Sequence, residues 1–160
     1  MRERYSIFAS VGNATQPFDR FLKLVDEAAR RVGRRTLIQT GAGSYRPRYA
    51  EAVDFVGREE FDELCRAADY VITHAGVGSV MTAVRLGKVP IVVPRRAAEG
   101  EVINDHQFEL ATELSRLGWC RVASGVDDLV GFLAAAPAAV PAGEKVSNRL
   151  MRELVTDFIR

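Results

Sequence analysis

The strongest chemical signal in this chain comes from His74, Gly76, Gly78 and Ser79, in the run Val71-Ile-Thr-His74-Ala-Gly76-Val-Gly78-Ser79-Val-Met81. A short apolar, β-branched segment stops at a polar residue, turns through two glycines and resumes as an apolar stretch suited to a helix. A helix starting there presents its first backbone N–H groups with little side-chain bulk around them. Those groups have no partner inside the helix and lie at the positive end of its dipole, so they suit a phosphate. The glycines let oxygens approach the backbone, Ser79 offers a hydroxyl from the first turn, and His74 stands at the strand's carboxyl end. The chemistry expected is diphosphate binding, although Gly-x-Gly also occurs in strand–helix turns that hold no ligand.

A second cluster is Arg95-Arg96-Ala-Ala-Glu99-Gly-Glu101-Val-Ile-Asn104-Asp105-His106-Gln107. It opens where an apolar strand ends and closes at a helix start. Asp105 and Gln107 offer an acceptor and an amide, the pair that sugar hydroxyls require, with His106 between them. Asn104 reads more simply as a cap on the first turn. Arg95 and Arg96 lie just beyond the strand, where an anionic ligand can use them.

The elements around these clusters follow from apolar spacing. Ser6–Val11 reads as a buried strand ending at Gly12-Asn13. Phe18, Phe21, Leu22, Val25, Ala28, Ala29 and Val32 recur at steps of three and four, an amphipathic helix over Pro17–Val32. Thr15 is its expected N-cap and Gly33 its stop. Further strands are expected at Thr36–Thr40, Ala52–Val56, Tyr70–Thr73, Pro90–Pro94 and Trp119–Val122. Helices are expected at Glu59–Ala67, Gly78–Leu86 and Asp105–Leu117. The strands are apolar without polar alternation and alternate with helices, which implies a Rossmann-like α/β fold, a parallel sheet covered on both faces. Ligands of such sheets bind beyond the carboxyl ends of the strands, where Gly12-Asn13, Gln39-Thr40-Gly41, His74 and Arg95 gather. The organisation expected is one domain over 1–134, an Ala/Pro-rich linker over 135–143, and a C-terminal helix within 144–160 (Val146–Ile159) that packs on the domain or on a partner.

With 160 residues, 48% of them hydrophobic, the chain suffices for one well-packed domain. Lys+Arg (22) nearly balance Asp+Glu (21), so no general attraction to nucleic acid or an anionic membrane is implied. Arg30-Arg31 and Arg34-Arg35 suit a solvated helix end. Cys65 and Cys120 lie far apart, and no leader-like segment precedes them, so a reduced cytosolic pair is expected. No stretch approaches the roughly eighteen apolar residues of a membrane span. No Asp-x-Asp triplet occurs, and His74, His106, Cys65 and Cys120 lack metal-ligand spacing, so neither metal nor cofactor is expected.

His74-Ala-Gly-Val-Gly-Ser79, followed after the next strand by Asn104-Asp-His-Gln107 and Glu109-Leu-Ala111, resembles the C-terminal domain of family 28 glycosyltransferases. That domain is the nucleotide-sugar half of a GT-B architecture of two Rossmann-like domains. Val92-Val-Pro-Arg95 through Glu101 to Gln107 is similar to split bacterial enzymes of exopolysaccharide and capsule synthesis, in which a small chain binds the donor and a membrane-associated chain supplies the other half. The resemblance covers about Ser6 to Val122. It implies that His74, Gly76, Gly78 and Ser79 hold the diphosphate, aided by Gly12 and Asn13, and that Phe55 and Val56 offer backbone groups to uracil. It also implies that Asp105, His106 and Gln107 contact sugar hydroxyls. One position departs: related transferases often place a Glu on both ribose hydroxyls three residues after the Ser79 position, where this chain has Thr82. Ribose recognition is thereby left open, or shared with Glu99 or Glu101. Arg95 and Arg96 can balance a sugar carboxylate, which makes UDP-glucuronate a donor to consider beside UDP-N-acetylglucosamine.

The function these readings imply is the donor-binding subunit of an inverting, metal-independent UDP-sugar glycosyltransferase acting on a lipid-linked acceptor in exopolysaccharide or capsule synthesis. Backbone N–H groups at Gly78 and Ser79 stabilise the charge that builds on the departing diphosphate, one well-aimed donor being worth about 3 kcal/mol. No general base stands poised for an acceptor. His74 and His106 are weak candidates, so base and acceptor site are expected on a membrane-associated partner that holds the chain, otherwise cytoplasmic, at the inner membrane. Two rivals stay open. One is a dinucleotide-binding Rossmann domain with Arg95-Arg96 on a 2′-phosphate, weakened by Met81 where a third glycine belongs and by glycines that follow the fourth strand rather than the first. The other is a non-catalytic nucleotide-sugar-binding module.

Overall fold

A computed structural model describes residues 4–13, 15–101 and 106–140. Six parallel strands form one sheet in the order β3-β2-β1-β4-β5-β6. They are β1 (Ile7–Ser10), β2 (Thr36–Gln39), β3 (Glu51–Val53), β4 (Tyr70–His74), β5 (Ile91–Val93) and β6 (Arg121–Val122). The order reverses between β1 and β4, which pair from Ile7 opposite Tyr70 to Ser10 opposite Thr73. At such a switch the chains leaving the two strands diverge to opposite faces and open a crevice beyond their carboxyl ends.

The helices are α1 (Asp19–Val32), α2 (Arg58–Ala67), α3 (Val77–Arg85), α4 (His106–Arg116) and α5 (Val126–Ala134), with a single 3-10 turn over Ala97–Glu99. Successive strand residues point to opposite faces. Ile7 and Ala9 of β1 pack with Phe21, Leu22 and Val25 of α1 and with Leu129 and Leu133 of α5. Phe8, between them, packs with Cys65 of α2 and Ala83 of α3. Beside that second face, Val92 of β5 meets Val80 and Val84 of α3, Leu110 and Leu114 of α4, and Trp119. The two faces are thus covered independently, as an apolar parallel sheet requires.

Several boundaries differ from expectation. α1 does not start from a Thr15 cap: Phe18 occupies the N-cap position and no side chain caps the turn. Asp19 instead accepts from the Ser44 N–H and hydroxyl at 2.9 and 2.7 Å, tying the loop after β2 to the head of α1. Gly33 does stop the helix, in the left-handed region at φ 67°. β3 ends at Val53, so Phe55 and Val56 lie outside it; as an edge strand it pairs with β2 alone, and its ladder stops with Gln39 opposite Val53. The loop feeding β3 is pinned by buried Asp26 of α1, which accepts from the Tyr45 hydroxyl at 2.7 Å and from the N–H groups of Arg48, Tyr49 and Ala50. α5 was not foreseen: Val126, Leu129, Val130 and Leu133 follow helical spacing, but Asp127, Asp128 and Gly131 interrupt a short segment. The described part of the expected linker, 135–140, includes an antiparallel bridge from Ala139 to Lys88. The rest of that linker and the helix expected over Val146–Ile159 lie outside the described residues. Cys65 and Cys120 are free and buried, and burial pushes both thiols up to about 12.

Candidate donor-binding site

α3 starts at Val77, with Gly76 as an extended N-cap (φ −69°, ψ 130°), no side-chain cap and no acidic residue in the first turn. Its first intrahelical bond runs from the Val80 N–H to the Gly76 carbonyl at 3.1 Å. The N–H groups ahead of Val80 therefore face outward at the positive end of the helix. They open into a cavity of about 540 Å³ at the sheet's switch point.

His74 governs the shape of that opening. It is 9% exposed, and its ring lies between the backbones of Gly12 and Gly76. A Cβ on Gly12 would fall 2.2 Å from its Nε2, and one on Gly76 would fall 2.1 Å from its Cε1. Gly12 also adopts φ 76°, which side chains disfavour. These two glycines make room for the imidazole while also lining the cavity. Gly78 differs: a Cβ there meets nothing within 4 Å, so it keeps the helix entrance clear. The Gly12 turn is further tied into the sheet, its N–H donating to Ser10 Oγ at 3.0 Å, while the Ser10 hydroxyl donates to Gln39 Oε1 at 2.8 Å.

Burial first, and the positive charge of Arg95 second, push the His74 pKa from 6.5 to about 4. The ring is therefore neutral at pH 7. Its Nδ1 is buried without a hydrogen-bond partner, as are Gln39 Nε2 and Thr73 Oγ1. Native interiors satisfy such groups almost always, and His74 and Gln39 both line the cavity, where a polar ligand can bond to them.

The cavity is lined by Gly12, Asn13, Val56, His74, Gly76, Gly78, Ser79 and Thr82 from the expected set, together with Gln39. It also takes in Arg58, Phe61, Asp62, Met81 and Arg85, which were not anticipated. Arg58 and Asp62 share one face of α2, and Gly78, Thr82 and Arg85 one face of α3. Spacing discloses each face, but only the packing of α2 against α3 brings the two together. Thr82 donates its hydroxyl back to the Gly78 carbonyl at 2.9 Å.

Other expected residues lie elsewhere. Phe55 is 56% exposed and does not line the cavity. Nor does Arg95, which is buried with its guanidinium 4.6 Å over the Phe18 ring and its Nη1 donating to the Pro17 and Glu101 carbonyls. Glu101 is held by Arg20, whose Nη2 lies 2.9 Å from Oε1, and by the Arg96 N–H at 2.9 Å. Glu99 is likewise paired with Arg20, at 3.1 Å. These charges fasten the β5–α4 connection to α1 instead of facing the cavity. His106 opens α4 and is exposed, while Gln107 is half-buried with a buried, unpartnered Oε1. Asp105 lies outside the described residues.

Residues 6–124 match the model of the glycosyltransferase family 28 C-terminal domain. The chain belongs to that family. A UDP-N-acetylglucosamine transferase subunit ALG13 from Yarrowia lipolytica is 34% identical over 137 residues, covering 76% of this chain and 66% of that protein. One from Cryptococcus neoformans is 36% identical over 106 residues, covering 62% and 50%. The chain thus spans half to about two-thirds of the length of these curated relatives. Among solved structures, the solution structure of ALG13 superposes with a TM-score of 0.66 at 19% identity, covering 99% of this chain and 98% of that one. The glycotransferase of kitacinnamycin gives 0.61 at 18%, covering 99% of this chain and 39% of that one. Both share the Rossmann-like half of a GT-B fold.

The glycine roles can be separated by substitution. Gly76→Ala should lower unfolding free energy by about 1–3 kcal/mol, as overpacking does. Gly78→Ala should leave stability within about 0.5 kcal/mol or raise it, Ala being the better helix former, while weakening diphosphate binding. Urea melts and UDP titrations of both variants check this. The His74 shift carries a pH signature as well. Unfolded chains protonate this histidine near 6.5 and the folded chain only near 4, so the unfolded state binds more protons in between. Stability should fall as pH drops through that window, and urea melts of His74→Gln should show a shallower fall.

Proposed function

We propose that this chain is the donor-binding subunit of a UDP-sugar glycosyltransferase, with UDP-N-acetylglucosamine as donor. The observation that carries the proposal is the uncapped start of α3, opening with unpartnered His74 Nδ1 and Gln39 Nε2 into one cavity at the switch point. The relatives' designation as UDP-N-acetylglucosamine transferase subunits supports that donor. UDP-glucuronate loses its rationale, because Arg95 is buried against Phe18 and neither it nor Arg96, which pairs with Glu99, lines the cavity. The resemblance to exopolysaccharide and capsule enzymes finds no echo in the relatives' designations, so the acceptor is proposed only as a lipid-linked saccharide.

Transfer breaks the bond between sugar C1 and the diphosphate oxygen, and negative charge grows on the departing phosphate. Donors fixed before the reaction stabilise that charge without reorganising. The first N–H groups of α3 serve in this way, with the Ser79 hydroxyl beside them. His74 acts as a neutral wall and hydrogen-bonding group, since a ring protonating near pH 4 is a poor base at neutral pH. His106 opens α4 outside the cavity lining. The base that activates the acceptor is therefore assigned to a partner subunit, which also brings the chain to the membrane; no helix among the described residues is long and apolar enough to cross one. The dinucleotide-binding reading loses its 2′-phosphate anchor, because Arg95 is buried and Arg96, 3.7 Å from Glu99, does not line the cavity either.

Thermal unfolding with a ligand panel tests the assignment. UDP and UDP-N-acetylglucosamine at 100 times their dissociation constants should each add about 2.7 kcal/mol of stability. UDP-glucuronate should bind more weakly, and NADPH should give no shift. A preference for NADPH, or no response to any uridine nucleotide, overturns the proposal.

A further inference from the structure

We infer that Asp62 reads the ribose of the nucleotide, accepting hydrogen bonds from its vicinal hydroxyls. The inference rests on the donor-site reading above. The cavity extends from the head of α3 along the cleft between α2 and α3, with Thr82 on one wall and Asp62 on the other. A nucleoside diphosphate anchored by its phosphates at the helix start can lay its ribose into this cleft. Two adjacent hydroxyls are best held by a group that accepts from both, and an ionised carboxylate with two oxygens does this.

The carboxylates that sequence alone offered for this task are engaged elsewhere. Glu101 is bound by Arg20 and the Arg96 N–H, and Glu99 pairs with Arg20. Thr82 has its hydroxyl proton committed to the Gly78 carbonyl. Among the described residues lining the cavity, Asp62 is the one carboxylate. It is half-buried, so its desolvation on ligand binding is small while its pairing with the hydroxyls is partly screened from water. The cationic side chains of Arg58 and Arg85 line the same cavity.

Calorimetric titration of the chain and of Asp62→Asn with UDP and with 2′-deoxy-UDP tests the assignment, with far-UV circular dichroism confirming that the variant is folded. The unsubstituted protein should favour UDP over 2′-deoxy-UDP by at least tenfold. In Asp62→Asn that preference should fall below about threefold, through loss of UDP affinity with 2′-deoxy-UDP little changed. Equal losses for both nucleotides would assign Asp62 to the base, the phosphates or helix packing, and would overturn the inference while leaving the donor site standing. An unchanged preference in the variant would overturn it too. If the unsubstituted protein binds neither nucleotide, the donor-site reading itself fails.

Discussion

The architecture of this site depends on an imidazole held between two backbones. His74 ends β4, where the sheet changes direction, and its ring fills the gap that Gly12 and Gly76 leave by having no side chain. A larger residue at either glycine collides with the ring, and a smaller residue at 74 leaves a void where β1 and β4 part. Because the ring is buried beside Arg95, it stays neutral and adds no charge to the site. The attraction for an anion therefore comes from the helix start and from Arg58 and Arg85 in the cavity wall, not from His74. Oriented backbone dipoles need no counter-ion and are fixed by the fold, which suits the proposed seating and release of two phosphates.

A second set of interactions keeps the charged β5–α4 connection out of the cavity. Arg95 lies over Phe18, Arg20 holds Glu101 and the Pro94 carbonyl, and Glu101 accepts from the Arg96 N–H. Charged residues that read in the sequence as ligand contacts are instead a clamp between α1 and the connection. Truncating one member of such a buried, hydrogen-bonded set costs more than the pair is worth, because its partner is left unsatisfied.

Most of the fold was legible because an all-parallel sheet writes itself as apolar runs alternating with amphipathic helices. Each expected strand among the described residues exists, though all but β4 are shorter than read, and edge strand β3 stops at Val53. α5 was missed because a short helix with two aspartates and a glycine has little periodic signal, yet Leu129 and Leu133 bury fully against α1. The cradle was legible because its parts are consecutive: strand end, glycines, serine, helix. Arg58 and Asp62 were not, since they reach the cavity through helix–helix packing that no local spacing records. Arg95 and Glu101 misled for a related reason. A charged residue beyond a strand end is as well placed to brace a loop as to bind a ligand, and the neighbour deciding between them, Arg20, is 81 residues away from Glu101 in the chain.

Diphosphate seated on the bare amino end of α3 is the proposal on which the rest depends. Backbone amide chemical shifts recorded as UDP is added test it most directly. The largest saturable changes should fall on Val77, Gly78 and Ser79, with uridine alone leaving those amides little moved. Changes centred on the turn over Ala97–Glu99, or identical responses to UDP and uridine, would contradict it.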